Sequence, residues 1–194
     1  MSGEGVTAEK ARWRERFRAA RRETPPEALA RSSAWLCRRL EAVTSERAGP
    51  VALFWPLPGE PDLRRLAERL RQRGRTVALP AVVGARALSW RRFEGPERLV
   101  PGRWGLREPA EDAPPVAPEA LAVVAVPGLA FGRDGTRLGY GGGFYDAALA
   151  ATPALRVGVA APGALVAGVP AEAHDARLDA IVTEREVWWV HGER

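Results

Sequence analysis

The stretch from residue 121 to residue 151 constrains the fold more than any other part of the sequence. Residues 121–126 form a short apolar run rich in β-branched side chains, which a proline and a glycine end. Such a run is typical of a buried parallel strand that leads into a loop. Residues 132–135 have the composition of a tight turn, and residues 139–143 contain four glycines, which tolerate backbone conformations that other residues avoid. Helix-forming residues follow from 144 to 151, so the predicted order is strand, glycine loop and helix.

The glycine loop, residues 139–143, has the features of an anion-binding site. Glycines let the backbone come close to a ligand, and the free N–H groups at a helix start attract phosphate. Arg137 precedes the loop and can add charge-assisted hydrogen bonds, while Asp146 follows it and can hold a divalent cation. In the alternative, the glycines only make a tight connection and Asp146 only favours the helix dipole. The two charged residues together favour phosphate binding.

Two common nucleotide-binding patterns are absent from the sequence. It has no G-x-x-x-x-G-K-[ST] motif, and a G-x-G-x-x-G pattern that begins at Gly139 would need its third glycine where Phe144 stands. The loop is therefore predicted to be neither a P-loop nor a dinucleotide site of the usual kind.

The residues around the loop resemble the signature of a known family. Residues 127–131 (Pro-Gly-Leu-Ala-Phe) and residues 137–146 (Arg-Leu-Gly-Tyr-Gly-Gly-Gly-Phe-Tyr-Asp) are similar to that of 5-formyltetrahydrofolate cyclo-ligases, also called 5,10-methenyltetrahydrofolate synthetases. Many members carry lysine where this chain has Gly142, which removes one possible phosphate contact. The resemblance implies a ligase that uses ATP and Mg²⁺ to cyclise 5-formyltetrahydrofolate to 5,10-methenyltetrahydrofolate. ADP and phosphate would be released, through a phosphorylated formyl intermediate.

The resemblance also implies roles for particular residues. In the family an N-terminal Lys-x-x-x-Arg contacts ATP, and Lys10 and Arg14 have this spacing. Lys10 and Arg137 are the expected catalytic cations, and Asp146 and Asp179 the expected Mg²⁺ ligands. The expected ATP-binding residues are Lys10, Ala11, Arg12, Trp13, Arg14, Arg137, Leu138, Gly139, Tyr140, Gly141, Gly142, Gly143, Phe144 and Tyr145. The expected contacts of the substrate, a reduced formyl-folate, are Trp55, Glu60, Tyr140, Gly141, Gly142, Gly143 and Phe144.

Some of these residues have a second, purely structural interpretation. Asp179 precedes a predicted strand and can be a turn or cap residue, and Trp55 can belong to the core. Residues 104–109 resemble a family segment that lines the active-site cleft, and packing is an equal alternative. Lys10 is the single lysine among 29 basic residues. A site that needs a compact point charge would retain a lysine, and chance survival is the alternative. Arg18 and Arg21, in the same predicted helix, are expected to form a solvated face.

The order of the predicted elements indicates a three-layer α/β/α sandwich with a mostly parallel sheet, in one domain of residues 1–194. It is similar to a Rossmann fold without the dinucleotide fingerprint. Helices are predicted at residues 8–22, 24–43, 63–73 and 144–151, the first capped by Thr7 and the second by a capping box from Thr24 to Glu27. Strands are predicted at residues 51–55, 76–79, 87–93, 121–126, 155–160, 178–183 and 186–190. Residues 162–170 are expected to be a loop or a short helix.

Composition and charge indicate which partners, cellular locations and metal sites to expect. The net charge is +5, but the basic residues alternate with 24 acidic ones, so no nucleic-acid partner is expected. No apolar run approaches the ~20 residues of a membrane span, and the N-terminus lacks the core of a signal peptide. A cytoplasmic monomer without membrane partners is therefore expected. Cys37, the single cysteine, is expected to be a buried inert thiol, and His174 and His191 are too isolated for a zinc site. The scarcity of Asn, Gln, Cys and Met is typical of a thermophile.

Two other functions fit the sequence less well. A sugar-phosphate or acyl-transfer enzyme could use the glycine loop for a sugar phosphate or coenzyme A, and it would turn over without ATP. A nucleic-acid-binding protein could use the N-terminal arginines and would bind with a steep salt dependence. Basic and aromatic residues are not interleaved along one strand, however, which argues against the second function.

Overall fold

The structure, a computed structural model, describes residues 3–192. Its helices are α1 (Gly3–Glu23), α2 (Pro26–Ser45), α3 (Arg64–Gln72) and α4 (Phe144–Ala150). Its strands are β1 (Val51–Ala52), β2 (Val77–Val82), β3 (Leu88–Arg92), β4 (Leu99–Pro101), β5 (Arg107–Pro109), β6 (Val123–Val126), β7 (Ala130–Gly132), β8 (Arg137–Leu138), β9 (Leu155–Val159), β10 (Leu165–Val166), β11 (Ala180–Val182) and β12 (Val187–Trp189). Short 3-10 helices at Pro96–Arg98, Arg103–Gly105 and Pro118–Ala120 lie between β3 and β6.

The central sheet has seven strands in the order β12-β11-β9-β6-β1-β2-β3. The five inner strands are parallel, and β12 and β3 pair antiparallel at the two edges. Each of the seven predicted strands overlaps one strand of this sheet, and each of the four predicted helices overlaps an observed helix. The mostly parallel α/β fold predicted from the sequence is confirmed.

Alternation along the strands divides the core between the two faces of the sheet. Val51 packs in the cluster that contains Leu36 of α2 and Leu66 of α3. Its neighbour Ala52 packs in the opposite cluster, which contains Leu149 of α4. This is the period of two expected of strands buried on both faces. The sheet therefore lies between two helical layers.

Two predicted helix starts are wrong. Helix α1 begins at Gly3, so Thr7 lies inside the helix and does not cap it. Helix α2 begins at Pro26 without any side-chain cap, and Thr24 instead donates its hydroxyl to the carbonyl of Ala20, 3.0 Å away. A proline in the first turn needs less capping because it has no N–H to satisfy.

Small sheets outside the central one complete the fold. Strands β7 and β8 form an antiparallel hairpin around the predicted turn at residues 132–135. Strand β10 pairs in parallel with β7, where a loop or short helix was expected. Phe17 of α1 packs with Leu129 and Leu138 of the hairpin region, which holds α1 beside the start of the glycine loop.

The strand order reverses at β1, and this reversal creates a crevice. From β1 the chain passes to β2 on one side, and it later returns as β6 on the other. In open α/β sheets, ligands bind at such a point, beyond the carboxyl ends of the strands. The loop after β1 carries Glu60, and the chain after β6 leads through β7 and β8 to the glycine loop.

Among residues 3–192, no helix combines the length and the apolar character needed to cross a bilayer.

Candidate functional site

A cleft of about 720 Å³ opens beyond the carboxyl ends of β1, β2 and β6. Its walls come from α1, the loop after β1, the glycine loop and residues 172–175. The predicted site residues that border it are Lys10, Arg14, Trp55, Glu60, Arg137, Leu138, Gly139, Tyr140, Gly141, Gly142, Gly143, Phe144, Tyr145 and Asp146. The fold therefore brings most of the predicted site residues to one place, which the strand reversal at β1 provides.

Three predicted residues of α1 do not border the cleft. Ala11 and Arg12 are exposed, and Trp13 stacks on Phe17 with ring centroids 5.8 Å apart. Residues four apart share one face of a helix, and the residues between them do not. The face that carries Lys10 and Arg14 toward the cleft therefore turns the intervening residues away.

The glycine loop needs glycine at several positions. Gly141 and Gly143 have φ angles of 107° and 70°, which other residues rarely adopt. A Cβ atom at Gly139 would lie 2.8 Å from the guanidinium of Arg137, so the loop backbone packs directly on this arginine. The following helix α4 has only seven residues and no side-chain cap. The case for phosphate binding therefore depends more on the loop backbone and the surrounding cations than on a helix dipole.

Arg137 faces the loop from β8 and is nearly buried. Its Nη2 donates to Asp146 Oδ1 at 2.7 Å, and its Nη1 donates to the carbonyl of Pro127 at 3.3 Å. Its Nε is buried and has no hydrogen-bond partner within the described residues. An orphaned N–H beside a glycine loop is a ready donor for an anionic ligand.

Lys10 and Arg14 face the cleft from α1. Arg14 Nε donates to the carbonyl of Gly139 at 3.0 Å. Lys10 is 6% exposed, and its ammonium lies 2.6 Å from both Glu172 Oε2 and Asp175 Oδ2. Burial lowers the pKa of Lys10, but the hydrogen bonds and charges of these two carboxylates outweigh burial and raise it. Lys10 is therefore a fully charged ammonium in a nearly dry position.

A group of carboxylates lies beside Lys10 and could hold a metal ion. Ligand atoms of Glu172, His174 and Asp175 all lie within 4.8 Å of one another. Asp146 lies next to this group, because its Oδ1 accepts the backbone N–H of Ala176, the residue after Asp175, at 3.4 Å. Carboxylate oxygens are the ligands that Mg²⁺ prefers, so the carboxylates of Glu172 and Asp175 fit the expected metal.

Asp179 does not border the cleft. Its Oδ2 accepts the backbone N–H of Arg156 at 2.8 Å, which joins the start of β9 to the segment before β11. Asp179 therefore has the cap role that was the alternative to a role as a metal ligand. Glu172 and Asp175 were missed by the sequence reasoning, and the signal that could have found them is the cluster of polar residues at 172–175, just before Asp179.

Glu60 lines the cleft from the loop after β1. It is 6% exposed; its Oε2 accepts the backbone N–H of Leu57 at 2.9 Å, and its Oε1 accepts the hydroxyl of Tyr140. Arg21 Nη1 lies 3.8 Å from the same Oε1. Burial raises the pKa of Glu60, and the hydrogen bonds from Tyr140 and Leu57 and the charge of Arg21 partly offset this rise. Arg21, expected on a solvated face, instead contacts Glu60 and Tyr140, which line the cleft.

Aromatic side chains also line the cleft. Trp55 borders the cleft and also packs on Phe93 of the core, with ring centroids 5.6 Å apart, so both of its predicted positions apply. Phe144 meets Trp104 edge-on at 5.5 Å. The hydroxyl of Tyr145 is buried and has no hydrogen-bond partner within residues 3–192, and burial raises its pKa. A flat heterocycle with polar edges fits such a wall.

The chain is similar in sequence to known proteins over most of its length. Residues 6–184 match the 5-formyltetrahydrofolate cyclo-ligase family. The chain is 37% identical over 147 residues to the 5-formyltetrahydrofolate cyclo-ligase of Escherichia coli. The aligned region covers 73% of this chain and 81% of that protein. It is 33% identical over 175 residues to the enzyme of the same name from Mycolicibacterium smegmatis, covering 84% and 88% of the two chains.

Solved structures agree as well. The fold is similar to that of Aquifex aeolicus 5,10-methenyltetrahydrofolate synthetase, with a TM-score of 0.84, 33% identity and coverage of 95% of this chain and 94% of that chain. A synthetase from Mycoplasma pneumoniae shares the fold at 18% identity, with a TM-score of 0.74 over 91% of this chain and 99% of that chain. The chain belongs to the 5-formyltetrahydrofolate cyclo-ligase family and is an enzyme of the ligase class.

Proposed function

We propose that this enzyme cyclises 5-formyltetrahydrofolate to 5,10-methenyltetrahydrofolate with ATP and Mg²⁺, and releases ADP and phosphate. One observation carries the proposal beyond family membership. A single cleft is lined by the cations Lys10, Arg14 and Arg137 beside the backbone of the glycine loop, here called the phosphate end, and by Glu60 with the side chain of Tyr140, here called the folate end. Such a cleft suits two substrates that must meet, a polyphosphate and a polar heterocycle.

The chemical difficulty of this reaction is the leaving group. A formamide oxygen does not depart as hydroxide near neutral pH, whereas a phosphorylated oxygen departs as phosphate. The nucleophile and the electrophile belong to the same bound folate, so correct positioning supplies much of the rate. The protein has to align the γ-phosphate with the formyl oxygen and to neutralise the charge in transfer.

The proposed steps account for every bond. The formyl oxygen attacks the γ-phosphorus of ATP, the bond from that phosphorus to the β-phosphate oxygen breaks, and ADP leaves. The formyl carbon becomes iminium-like, and the N10 lone pair attacks it and closes the ring. N10 then loses its proton to water, and the carbon–oxygen bond breaks with departure of phosphate. No side chain is required as a general base.

At the phosphate end, the cations have separate tasks. We propose that the loop from Gly139 to Gly143 cradles the phosphates with its N–H groups, and that Arg137 binds the phosphoryl group in transfer. Lys10 turns from its carboxylate partners to the nucleotide phosphates when nucleotide and metal enter together. Arg14, which is bonded to the carbonyl of Gly139, holds the loop against α1.

We propose that Asp146, Asp175 and Glu172, and not Asp179, would hold Mg²⁺. When bound, Mg²⁺ would neutralise negative charge on the phosphates. Asp175 and Glu172 are the acidic pair that faces Lys10, while Asp179 is engaged with the backbone of Arg156. Lys10, which is almost fully buried, holds the carboxylates of Glu172 and Asp175 close together.

At the folate end, Glu60 is proposed to accept N–H groups of the pterin ring. Trp55, Tyr140 and Phe144 are proposed to form its walls, together with the backbone of the glycine loop. The N–H of Leu57 and the hydroxyl of Tyr140 fix the carboxylate in place, so it enters the reaction already oriented.

The test is the growth of near-ultraviolet absorbance from methenyltetrahydrofolate after the purified protein is mixed with 5-formyltetrahydrofolate. Growth that requires both ATP and Mg²⁺ is the expected result. A flat trace from folded protein would contradict the proposal. Turnover of a sugar phosphate or an acyl-coenzyme A without ATP would favour the rival function instead.

A further inference from the structure

Arg21 joins three segments that meet at the folate end of the cleft. It lies in the last turn of α1, and its side chain is only 12% exposed. Its Nη2 donates to the carbonyl of Gly128 at 2.6 Å, just beyond the carboxyl end of β6. Its Nη1 donates to the hydroxyl of Tyr140 in the glycine loop, and it lies 3.8 Å from Oε1 of Glu60 in the loop after β1.

The stem of Arg21 is fitted to its surroundings. A Cβ atom at Gly59 would lie 2.9 Å from the Cγ of Arg21, so the aliphatic stem packs on bare backbone there. The guanidinium lies 5.4 Å from the ring centroid of Tyr140, within cation–π range. The side chain is therefore fixed along its whole length, unlike a solvated surface arginine.

The geometry determines which way the Tyr140 hydroxyl points. A guanidinium has donors only, so Tyr140 must accept from Arg21 with an oxygen lone pair. The single hydroxyl hydrogen of Tyr140 is then free to be donated to Glu60, as observed. Glu60 in turn must act as an acceptor, which is the role of a carboxylate in its ionised form.

We infer that Arg21 is a positioning residue for the folate end of the cleft. It holds Tyr140 so that the hydroxyl donates to Glu60, and it keeps Glu60 an acceptor for the N–H groups of the pterin. This inference rests on the proposed function, because it assigns a task to the same cleft.

The charges around Glu60 support this role. The charged and titratable groups that interact with it are Arg21 from α1, Tyr140 from the glycine loop and Tyr145 from α4. Burial raises the pKa of Glu60, and Arg21 supplies the one positive charge that opposes this rise among the interactions of Glu60 in the described residues. Removal of that charge leaves Glu60 more easily protonated near neutral pH.

The test compares Arg21→Met with Arg22→Met, its exposed neighbour in the same helical turn. We expect Arg21→Met to raise KM for 5-formyltetrahydrofolate about tenfold, as for the loss of a charge-assisted hydrogen bond, with a much smaller change in KM for ATP. The acid limb of kcat/KM for the folate, corrected for the reaction without enzyme, should move to higher pH, because Glu60 is protonated at higher pH. Arg22→Met should match the wild type in folate KM, in ATP KM and in the position of the acid limb.

A second variant separates charge from geometry. Arg21→Lys keeps a positive charge but lacks the planar fork that reaches both Gly128 and Tyr140. We expect its acid limb to stay close to that of the wild type while its folate KM stays raised. Wild-type folate KM and wild-type pH profiles in both Arg21 variants would overturn the inference.

A measurement without catalysis distinguishes this inference from the proposed function. The chain has two tyrosines, so protein labelled with ¹³C at tyrosine Cζ gives two signals, and Tyr140→Phe assigns them. The pH midpoint at which the Tyr140 signal reports protonation of Glu60 should be higher in Arg21→Met than in the wild type. Equal midpoints would overturn the role of Arg21 even if the wild type cyclises the folate. A raised midpoint in a protein without cyclase activity would refute only the proposed function.

Discussion

Replacement of Lys10 by methionine removes the charge that holds two acidic side chains together. The ammonium lies 2.6 Å from both Glu172 and Asp175, so Lys10→Met leaves two carboxylates side by side without a counter-charge. Loss of one partner of a fully buried ion pair costs about 3–5 kcal/mol, and exposed pairs contribute about 1 kcal/mol or less.

The exposed fractions of the three side chains indicate whether the cost of losing Lys10 is closer to that of a buried or an exposed ion pair. The side chains of Lys10 and Asp175 are 7% and 13% exposed, and that of Glu172 is 29% exposed. We therefore expect the free energy of unfolding to fall by about 2–3 kcal/mol, and the melting temperature by about 5–10 °C for a chain of this size. The ATP KM should rise as well, because the phosphates lose a cation.

The pH dependence of this loss follows from the pKa shifts of both partners. The pKa of Lys10 is raised, so its contribution is complete below the ordinary lysine pKa and is lost as pH rises through the folded value. Burial raises the pKa of Asp175, but the hydrogen bonds from Lys10 and the backbone of Glu172 and the charges of Lys10 and His174 together lower it. The contribution of Asp175 is therefore complete above the ordinary value and is lost as pH falls through the folded one. The stability difference between wild type and variant should be constant near neutral pH and shrink in strong acid.

Thermal and denaturant unfolding followed by circular dichroism measure this difference, with Arg22→Met as the control from the same helix. Addition of Asp175→Asn to Lys10→Met should recover part of the stability, because one of the unpaired carboxylates is gone. A Lys10→Met protein as stable as the control, with wild-type ATP kinetics, would show that Lys10 neither stabilises the fold through the two carboxylates nor binds the nucleotide.

Three further changes probe other parts of the cleft and the core. Asp175→Asn should raise the Mg²⁺ concentration needed for half-maximal rate, and Asp179→Asn, which keeps an oxygen acceptor for the backbone amide it caps, should not; the reverse order in a magnesium titration would restore the original assignment. Gly142→Lys should raise the folate KM, because a Cβ there would lie 2.7 Å from the ring of Phe144 and displace it; an unchanged folate KM would show that the ring does not line the folate site. Burial raises the pKa of Cys37 to about 11, so the native thiol should resist a thiol reagent at pH 8 and react after unfolding; rapid native labelling would contradict its burial.

The strands of the central sheet could be predicted from the sequence, because a local pattern of apolar residues marks each strand. The apolar runs at residues 51–55, 121–126 and 155–160 end in prolines, glycines or small residues, and each lies in the central sheet as predicted. The glycine loop was located by the same local reasoning. Helix starts were less predictable, since a threonine that can cap a helix can equally lie within it, as Thr7 does.

The site depended on contacts between distant parts of the chain, and local patterns do not determine them. Asp179 was the residue expected to hold metal, but Asp175, four residues earlier, is the aspartate that faces Lys10, 165 residues away. The sequence predicted Arg21 on a solvated face of the first helix. Whether that face meets solvent or Glu60 depends on how α1 docks, which only the assembled fold reveals.

The central claim is that the cleft brings the γ-phosphate of ATP to the formyl oxygen of the folate. Transfer of isotope tests it most directly: 5-formyltetrahydrofolate labelled with ¹⁸O in the formyl group is converted with ATP and Mg²⁺, and the released phosphate is analysed by mass spectrometry. One labelled oxygen is expected in each phosphate released. Unlabelled phosphate, formed together with methenyltetrahydrofolate, would show that the formyl oxygen is never phosphorylated and would exclude the proposed mechanism.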